Sequence, residues 1–421
     1  MSPQGPLTPQ FERQKHILYW KRCLRTYLPN QYTTMDANRM MLAYFTILSL
    51  DILGSLDSTL SSDERQACID WIYLCQHRDG GFRGSPPPAV EMEGLASSDW
   101  DVATVPATFF ALSMLAMLKD DFMRVKRKEC LCWLLKMQRP DGSFGEHLGE
   151  GGAIEGGMDT RFGFCAAGVR WILRGRAVGD VEGVKDVDVD ALIKCIRRAQ
   201  TFDGGVSEMI FHEPHGGYTY CALAALALTD GLPKEIQTPY SGDPSTRRNS
   251  GLSDVEFTTH WLVSRQTSQL NADGEEPDDD DDDDDDDADD DNDGLIDSGR
   301  DQSAVTPLIA GFNGRCNKPA DTCYAFWIGG SLSLLSRLHL ASLPSSRNYL
   351  LTKTQHTIGG FAKKPGDPPD IYHSALGLAA LALMGEEGLK GVNPALCLSF
   401  EACSWIESLE WRRNIWAQKE N

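Results

Sequence analysis

The chain has 421 residues, 41% of them hydrophobic, and a formal charge of −21, which is enough chain for one large core or for two domains. Residues 271–300 hold 18 Asp or Glu and one Arg, a net of −17, so the remainder carries about −4. That body is an ordinary soluble surface, which excludes nucleic-acid binding by long-range field and an acidic halophile-like shell.

The N-terminus, MSPQGPLTPQFERQKH, has no apolar signal core, and residues 1–10 are expected to be disordered. The twelve Cys are scattered singly apart from Cys130 and Cys132, the pattern of reduced thiols in a cytoplasmic protein. The longest apolar run, Val105–Leu118, has fourteen residues. It is too short to span a bilayer and predicts a buried helix, so no transmembrane segment is expected.

A repeat runs through the chain. CQHRDGGFRG begins at Cys75, MQRPDGSFGE at Met137, AQTFDGGVSE at Ala199 and TQHTIGGFAK at Thr354. Gln76, Gln138 and Gln200 are spaced by 62 residues each, room for two helices and their connections. Gln266 follows 66 residues later, but its GF partner comes only at Gly311, so an insert interrupts that turn. Each repeat predicts an outer amphipathic helix, a Gly-rich turn and an inner helix. The inner candidates RFGFCAAGVRWIL, TYCALAALAL, YAFWIGGSLSLL and YHSALGLAALAL are apolar nearly all round, as helices buried on both faces are. Helical pairs of this kind stack as an open solenoid or close as a ring, and the period alone does not choose. The insert, EEPDDDDDDDDDDADDDNDG, repels itself and has nothing to bury; residues 268–306 are expected to be disordered. Further loops are expected at roughly 232–255.

The chemistry concentrates in GFNGRCNKPADTCYAFW, Gly311–Trp327. Asp321 and Cys323 form a D-x-C pair at an inner-helix start, and His373 lies at the start of the last inner helix. If those starts share a rim, carboxylate, thiolate and imidazole converge as a set that suits zinc with one position open, and Asp370 can orient the imidazole. The same residues also fit a helix-capping Asp, a buried Cys and a satisfied His. Arg315, Lys318 and Tyr324 flank the pair, and His215 begins another inner helix; with the helix dipoles they suit a diphosphate. Phe162, Phe164, Phe326 and Trp327 are candidates to line a hydrocarbon channel, or to fill core. Such a site suits attack of a metal-bound thiolate on carbon 1 of an allylic diphosphate.

Over Phe11 to about Trp411 the sequence resembles the β subunits of protein prenyltransferases. The resemblance is carried by the Gly-containing repeats, HGGYT at His215, GRCNKPADTCYAFW at Gly314 and the late YH at Tyr372. It implies an all-α fold: an α–α barrel (toroid) of inner and outer helices over 11–421, interrupted by the insert. It also implies Zn2+ on Asp321, Cys323 and His373, and prenyl diphosphate contacts from His215, Arg315, Lys318, Tyr324 and Trp327. Arg161 and Phe162 would meet the CaaX peptide, and Met41 would lie at the position that sets lipid length. Lys363 stands where farnesyl enzymes carry a magnesium-binding Asp, as in the type I geranylgeranyl class, so Mg2+ is expected to be dispensable. Asn317 stands where the Rab-specific class has Glu. NKPADTCY, SRNYLLT and LSLDILGSLD also resemble type I, whereas Met41, Cys316 and Tyr372 lean toward the farnesyl pattern, and Thr104 and Pro106 depart from the family at the peptide pocket. The implied partners are an obligate prenyltransferase α subunit, geranylgeranyl diphosphate and CaaX-terminated small GTPases, Leu being the default last residue. A farnesyltransferase β subunit, a terpene cyclase and a non-catalytic scaffold are the competing readings.

Overall fold

The computed structural model describes residues 9–87, 102–175, 177, 179–233, 236, 250–270 and 308–417. Among the described residues, six inner helices carry the core: α2 (Arg39–Ile52), α5 (Val105–Met117), α7 (Thr160–Arg174), α9 (Gly216–Leu228), α11 (Thr322–Leu334) and α13 (Ile371–Leu383). They pack in sequence order and α13 packs back on α2, so the ring is closed and the fold is an α–α toroid. Outer helices α1 (Arg13–Arg25), α4 (Ser62–Leu74), α6 (Arg127–Lys136), α8 (Val189–Ala199), α10 (Val255–Val263) and α12 (Leu343–Tyr349) alternate with them. Ala and Gly throughout α9 and α13 let neighbours approach closely, and both helices are buried nearly along their length.

The repeated glutamines build the ring. Gln76 Oε1 accepts the Lys126 N–H at 2.7 Å and its Nε2 donates to Arg124 O. Gln138 brackets Asp188, Gln200 brackets Ser253–Asp254 and Gln266 brackets Ser342 in the same way. Each therefore satisfies backbone groups at the start of the next outer helix. The fifth, Gln355, accepts from Glu12 N–H at 3.0 Å and donates to Gln10 O at 3.1 Å, joining the last repeat to the first helix. The turns after Gln76, Gln138, Gln200 and Gln355 need glycine: a Cβ on Gly142, at φ +95°, would lie 2.1 Å from Ala191 O.

The interrupted turn is preserved across its insert, since Gln266 pairs with Phe312 as Gln76 does with Phe82. Two boundaries shift. Pro9 O accepts from Arg347 and Gln10 O from Gln355, so residues 9 and 10 belong to the fold and not to a disordered terminus. Gln269 O accepts from Ala320 N–H at 2.9 Å, so the ordered chain reaches past 268. Residues 1–8, the poly-Asp stretch and most of 232–255 lie outside the described residues.

His16 seals the closure. It is fully buried, stacked between Phe11 and Phe361 at 4.9 and 4.7 Å. Its Nδ1 accepts from Gly360 N–H, so the neutral ring donates from Nε2 to Gln355 Oε1. Burial pushes its pKa down to about 4.

Replacing Gln355 by Leu should cost about 2 kcal/mol, because the paired backbone groups of Gln10 and Glu12 lose their partner; denaturant unfolding checks this, with faster amide exchange in α1. Because the unfolded ring charges near 6.5 and the folded one near 4, stability should fall as pH drops through that window. A His16→Gln variant should show a shallower acid slope than the wild type in the same titration.

Candidate active site

Inner helices start at one rim, and most of them start on a capping side chain. Thr104 accepts from Ala107 N–H, Asp159 from Arg161 N–H, His215 from Gly217 N–H, Asp321 from Cys323 N–H and Asp370 from His373 N–H. The caps remove orphan donors and fix the first turn. Capping and functional candidacy therefore fall on the same residues.

Asp321, Cys323 and His373 present ligand atoms that all lie within 4.8 Å of one another, a group able to hold a metal ion. The three side chains are almost buried, at 7%, 5% and 9% exposure. His373 Nε2 faces Asp321 Oδ1 at 3.4 Å, while Nδ1 is 2.7 Å from Asp370 Oδ2. Asp370 thus fixes the ring orientation that turns Nε2 toward the cluster. Burial opposes charge on His373, yet Asp321 and Asp370 hold its pKa well above the usual value. Burial likewise opposes ionisation of Asp321, but His373 carries its pKa below the usual carboxylate value. Burial, then Asp321, pushes the Cys323 thiol up to about 12. The protein alone leaves that thiol protonated; a borderline divalent cation in reach of Sγ would ionise it.

Beside this cluster, Gly217 N–H occupies His215 Nδ1 at 3.0 Å, so the neutral imidazole donates from Nε2 to Tyr324 Oη at 2.8 Å. Burial, with Arg315 and Arg161 nearby, pushes His215 down to about 4 and keeps it neutral. The Tyr324 hydroxyl then donates its own proton to an acceptor other than His215. Gly314 makes room for this ring, since a Cβ there would lie 2.0 Å from Tyr324 Cζ. Arg315 lies 3.8 Å from Glu213, and Lys318 O receives Asn313 Nδ2 at 2.8 Å. Lys363 O accepts Thr322 N–H at 3.1 Å, which seats the Lys363 backbone next to Asp321. Phe361–Ala362 pairs with Pro369–Asp370, so one short hairpin connects Lys363 to the His373 support.

A cavity of about 600 Å³ opens among these groups, lined by Cys323, Tyr324, His215, Trp327, Arg161, Phe162, Phe164, Met41, Thr104, Pro106 and Tyr372 among others. Trp327 Nε1 donates to Tyr372 Oη at 3.2 Å on its wall. Arg161 is held bidentately by Asp159, at 2.9 and 3.1 Å, and lies over Tyr218. Phe326 is a correction: it is fully buried, does not line the cavity, and packs on Tyr220 and Trp327. Sequence reasoning missed Tyr44, Phe110, Glu146 and Cys397, which also line the cavity. Residues Arg315, Lys318, Asp321, Lys363 and His373 stand at the rim and not in the lining.

Residues 11–398 match the family described as the prenyltransferase alpha-alpha toroid domain, and the chain belongs to that family. It is 29% identical over 415 residues to the geranylgeranyl transferase type-1 subunit beta of Arabidopsis thaliana, covering 96% of this chain and 93% of that protein. It is 27% identical to the protein farnesyltransferase subunit beta of Schizosaccharomyces pombe, over 88% of this chain and 78% of that one. The solved Candida albicans protein geranylgeranyltransferase-I complexed with GGPP matches with a TM-score of 0.72 at 26% identity, over 95% of this chain and 99% of that chain. Among the described residues no helix is long and apolar enough to cross a membrane.

Cys323→Ala and His373→Ala should each lose tight binding of one divalent cation, read by competition with a chromophoric chelator. Asp370→Ala should keep the site but weaken it by about 10- to 100-fold.

Proposed function

We propose that this chain is the catalytic β subunit of a protein geranylgeranyltransferase type I, moving a geranylgeranyl group from its diphosphate to the Cys thiol of C-terminal CaaX sequences, preferably CaaL. One observation carries the reading. The Asp321–Cys323–His373 cluster and the His215–Tyr324 pair both border a single large apolar cavity, through Cys323, His215 and Tyr324. The mixed oxygen, sulfur and nitrogen donors fit zinc. Zinc held by Asp321, Cys323 and His373 would supply the Lewis acidity that keeps a peptide thiol ionised near neutral pH.

The protein's own groups do the rest. The peptide sulfur forms a bond to carbon 1 of the donor, the carbon–oxygen bond breaks, and diphosphate leaves with the electron pair. Charge growing on that leaving group is met by Arg315 and Lys318 from the loop before α11 and by the Tyr324 hydroxyl from its first turn. Lys363 provides a fixed positive charge there, so magnesium is dispensable. Trp327 and Phe162 border the hydrocarbon, and Met41 borders its path. Arg161, immobilised by Asp159, offers its guanidinium to the peptide end. The full enzyme includes a prenyltransferase α subunit and acts in the cytoplasm on CaaX-terminated small GTPases.

Farnesyl transfer is the second reading, favoured by Met41 and Tyr372 in the cavity wall. The purified heterodimer decides between them. Preferential transfer from geranylgeranyl diphosphate to a CaaL peptide, undiminished when magnesium is withheld, is expected. Farnesyl preference with a strict magnesium requirement would overturn the type I reading.

A further inference from the structure

Among the described residues, five of the six inner helices are tied at their first turn to the next unit of the ring, and the tie at the seam differs from the rest. Met40 N–H of α2 donates to Gly84 O at 2.7 Å, and Val105 N–H of α5 to Glu146 O at 2.9 Å. Gly216 N–H of α9 donates to Gly314 O at 2.8 Å, and Thr322 N–H of α11 to Lys363 O at 3.1 Å. Each acceptor is the backbone carbonyl two residues past the phenylalanine of the next Gly-rich turn: Phe82, Phe144, Phe312 or Phe361. The helix beyond α13 is α2, and the chain entering α2, residues 26–38, contains no glycine. There Ile371 N–H, the first of α13, donates instead to the Tyr32 hydroxyl at 3.0 Å. A side chain stands in for a carbonyl, and it does so on the helix that carries His373.

The strap that presents Tyr32 is lightly held. Asn30–Asn38 forms a 3-10 run broken at Met35, and runs of that length are uncommon because their hydrogen bonds are poorly aligned. Leu28, Tyr32 and Met35 pack on the core, while Thr33, Thr34, Ala37 and Asn38 are exposed. Asp370 is already engaged, its two oxygens meeting His373 N–H and Nδ1 at 2.7 Å each. Loss of the Tyr32 hydroxyl therefore leaves an orphan donor in the first turn of α13, two residues before His373. The cluster itself spans two helices, with Asp321 and Cys323 at the start of α11 and His373 on α13. Its geometry depends on where α13 begins.

We propose that Tyr32 is a positioning residue for the cation site: it holds the start of α13 so that His373 meets Asp321 and Cys323, and the cation in turn holds the strap down. The proposal deepens the metal reading above and rests on the cluster taking a cation. Such coupling is reciprocal, so the factor that strap docking adds to cation affinity is the factor that the cation adds to strap docking.

The test uses the purified heterodimer and Zn2+ alone. Tyr32→Phe removes the hydroxyl and keeps the ring. Its Zn2+ affinity, read by competition with a chromophoric chelator, should fall by about 10-fold, the scale for a lost outer partner of a metal ligand. Amide exchange over residues 28–38 is the second measurement, and in the wild type it needs no variant. Stripping Zn2+ from the wild type should speed exchange there, whereas in Tyr32→Phe exchange should be fast with or without the metal. A tyrosine with a merely structural role would lower the melting temperature and leave Zn2+ affinity unchanged; that result overturns the proposal. Wild-type strap exchange that ignores Zn2+ overturns it as well. A wild type that binds no Zn2+ defeats the metal reading and this inference together. Tight binding in the wild type, matched by Tyr32→Phe, sinks only the role of Tyr32.

Discussion

The structure depends on the closed ring of inner helices, and above all on how those helices begin. Five of the six start on a side chain that accepts a backbone N–H of its own first turn. Because the ring is closed, those starts are held at fixed distances around one rim. Asp321 shows the economy of this: one oxygen caps α11, and the same carboxylate faces His373. The positions that a helical toroid must cap are also the positions of the proposed metal and diphosphate groups.

Electrostatics follow from the same arrangement. Helix N-termini at a common rim favour an anion, and two neutralising devices sit beside them. Arg315 and Lys318 provide permanent charge, whereas His215 is kept neutral by burial and by the nearby Arg315 and Arg161. A neutral His215 can only position Tyr324, and that division of labour keeps one hydroxyl aimed at an acceptor across the working pH range. The metal-type cluster is the opposite case: its buried groups draw protons and charge toward one another, and a divalent cation relieves the conflict.

Much of this was legible in the sequence where physics is local. The 62-residue spacing of Gln76, Gln138 and Gln200 marks the repeat because each glutamine must reach the next outer helix. Even the interrupted turn could be placed, since Gln266 still needs Phe312. Ring against solenoid could not be read, because it rests on Gln355 meeting Glu12 across 343 residues. The stretch VPATFFALSMLAML gave away its burial but not its working face. Its residues are apolar all round, so no periodicity picks out Pro106, Phe109 and Phe110, which line the cavity, from their buried neighbours. The same uniformity misplaced Phe326. Asp159 gave no signal of its importance, and Thr104 only as a departure at the peptide pocket, as a cap is recognised only once the helix start is known.

In the proposed reaction a cation held by Asp321, Cys323 and His373 receives the substrate's sulfur at the mouth of the apolar cavity. Cobalt(II) substituted into the heterodimer reads this directly through its sulfur-to-metal charge-transfer absorption. The account predicts one thiolate's worth of that band in the resting protein, and a second when a CaaX peptide with a free thiol binds. A spectrum without thiolate character, or one unchanged by the peptide, would contradict it.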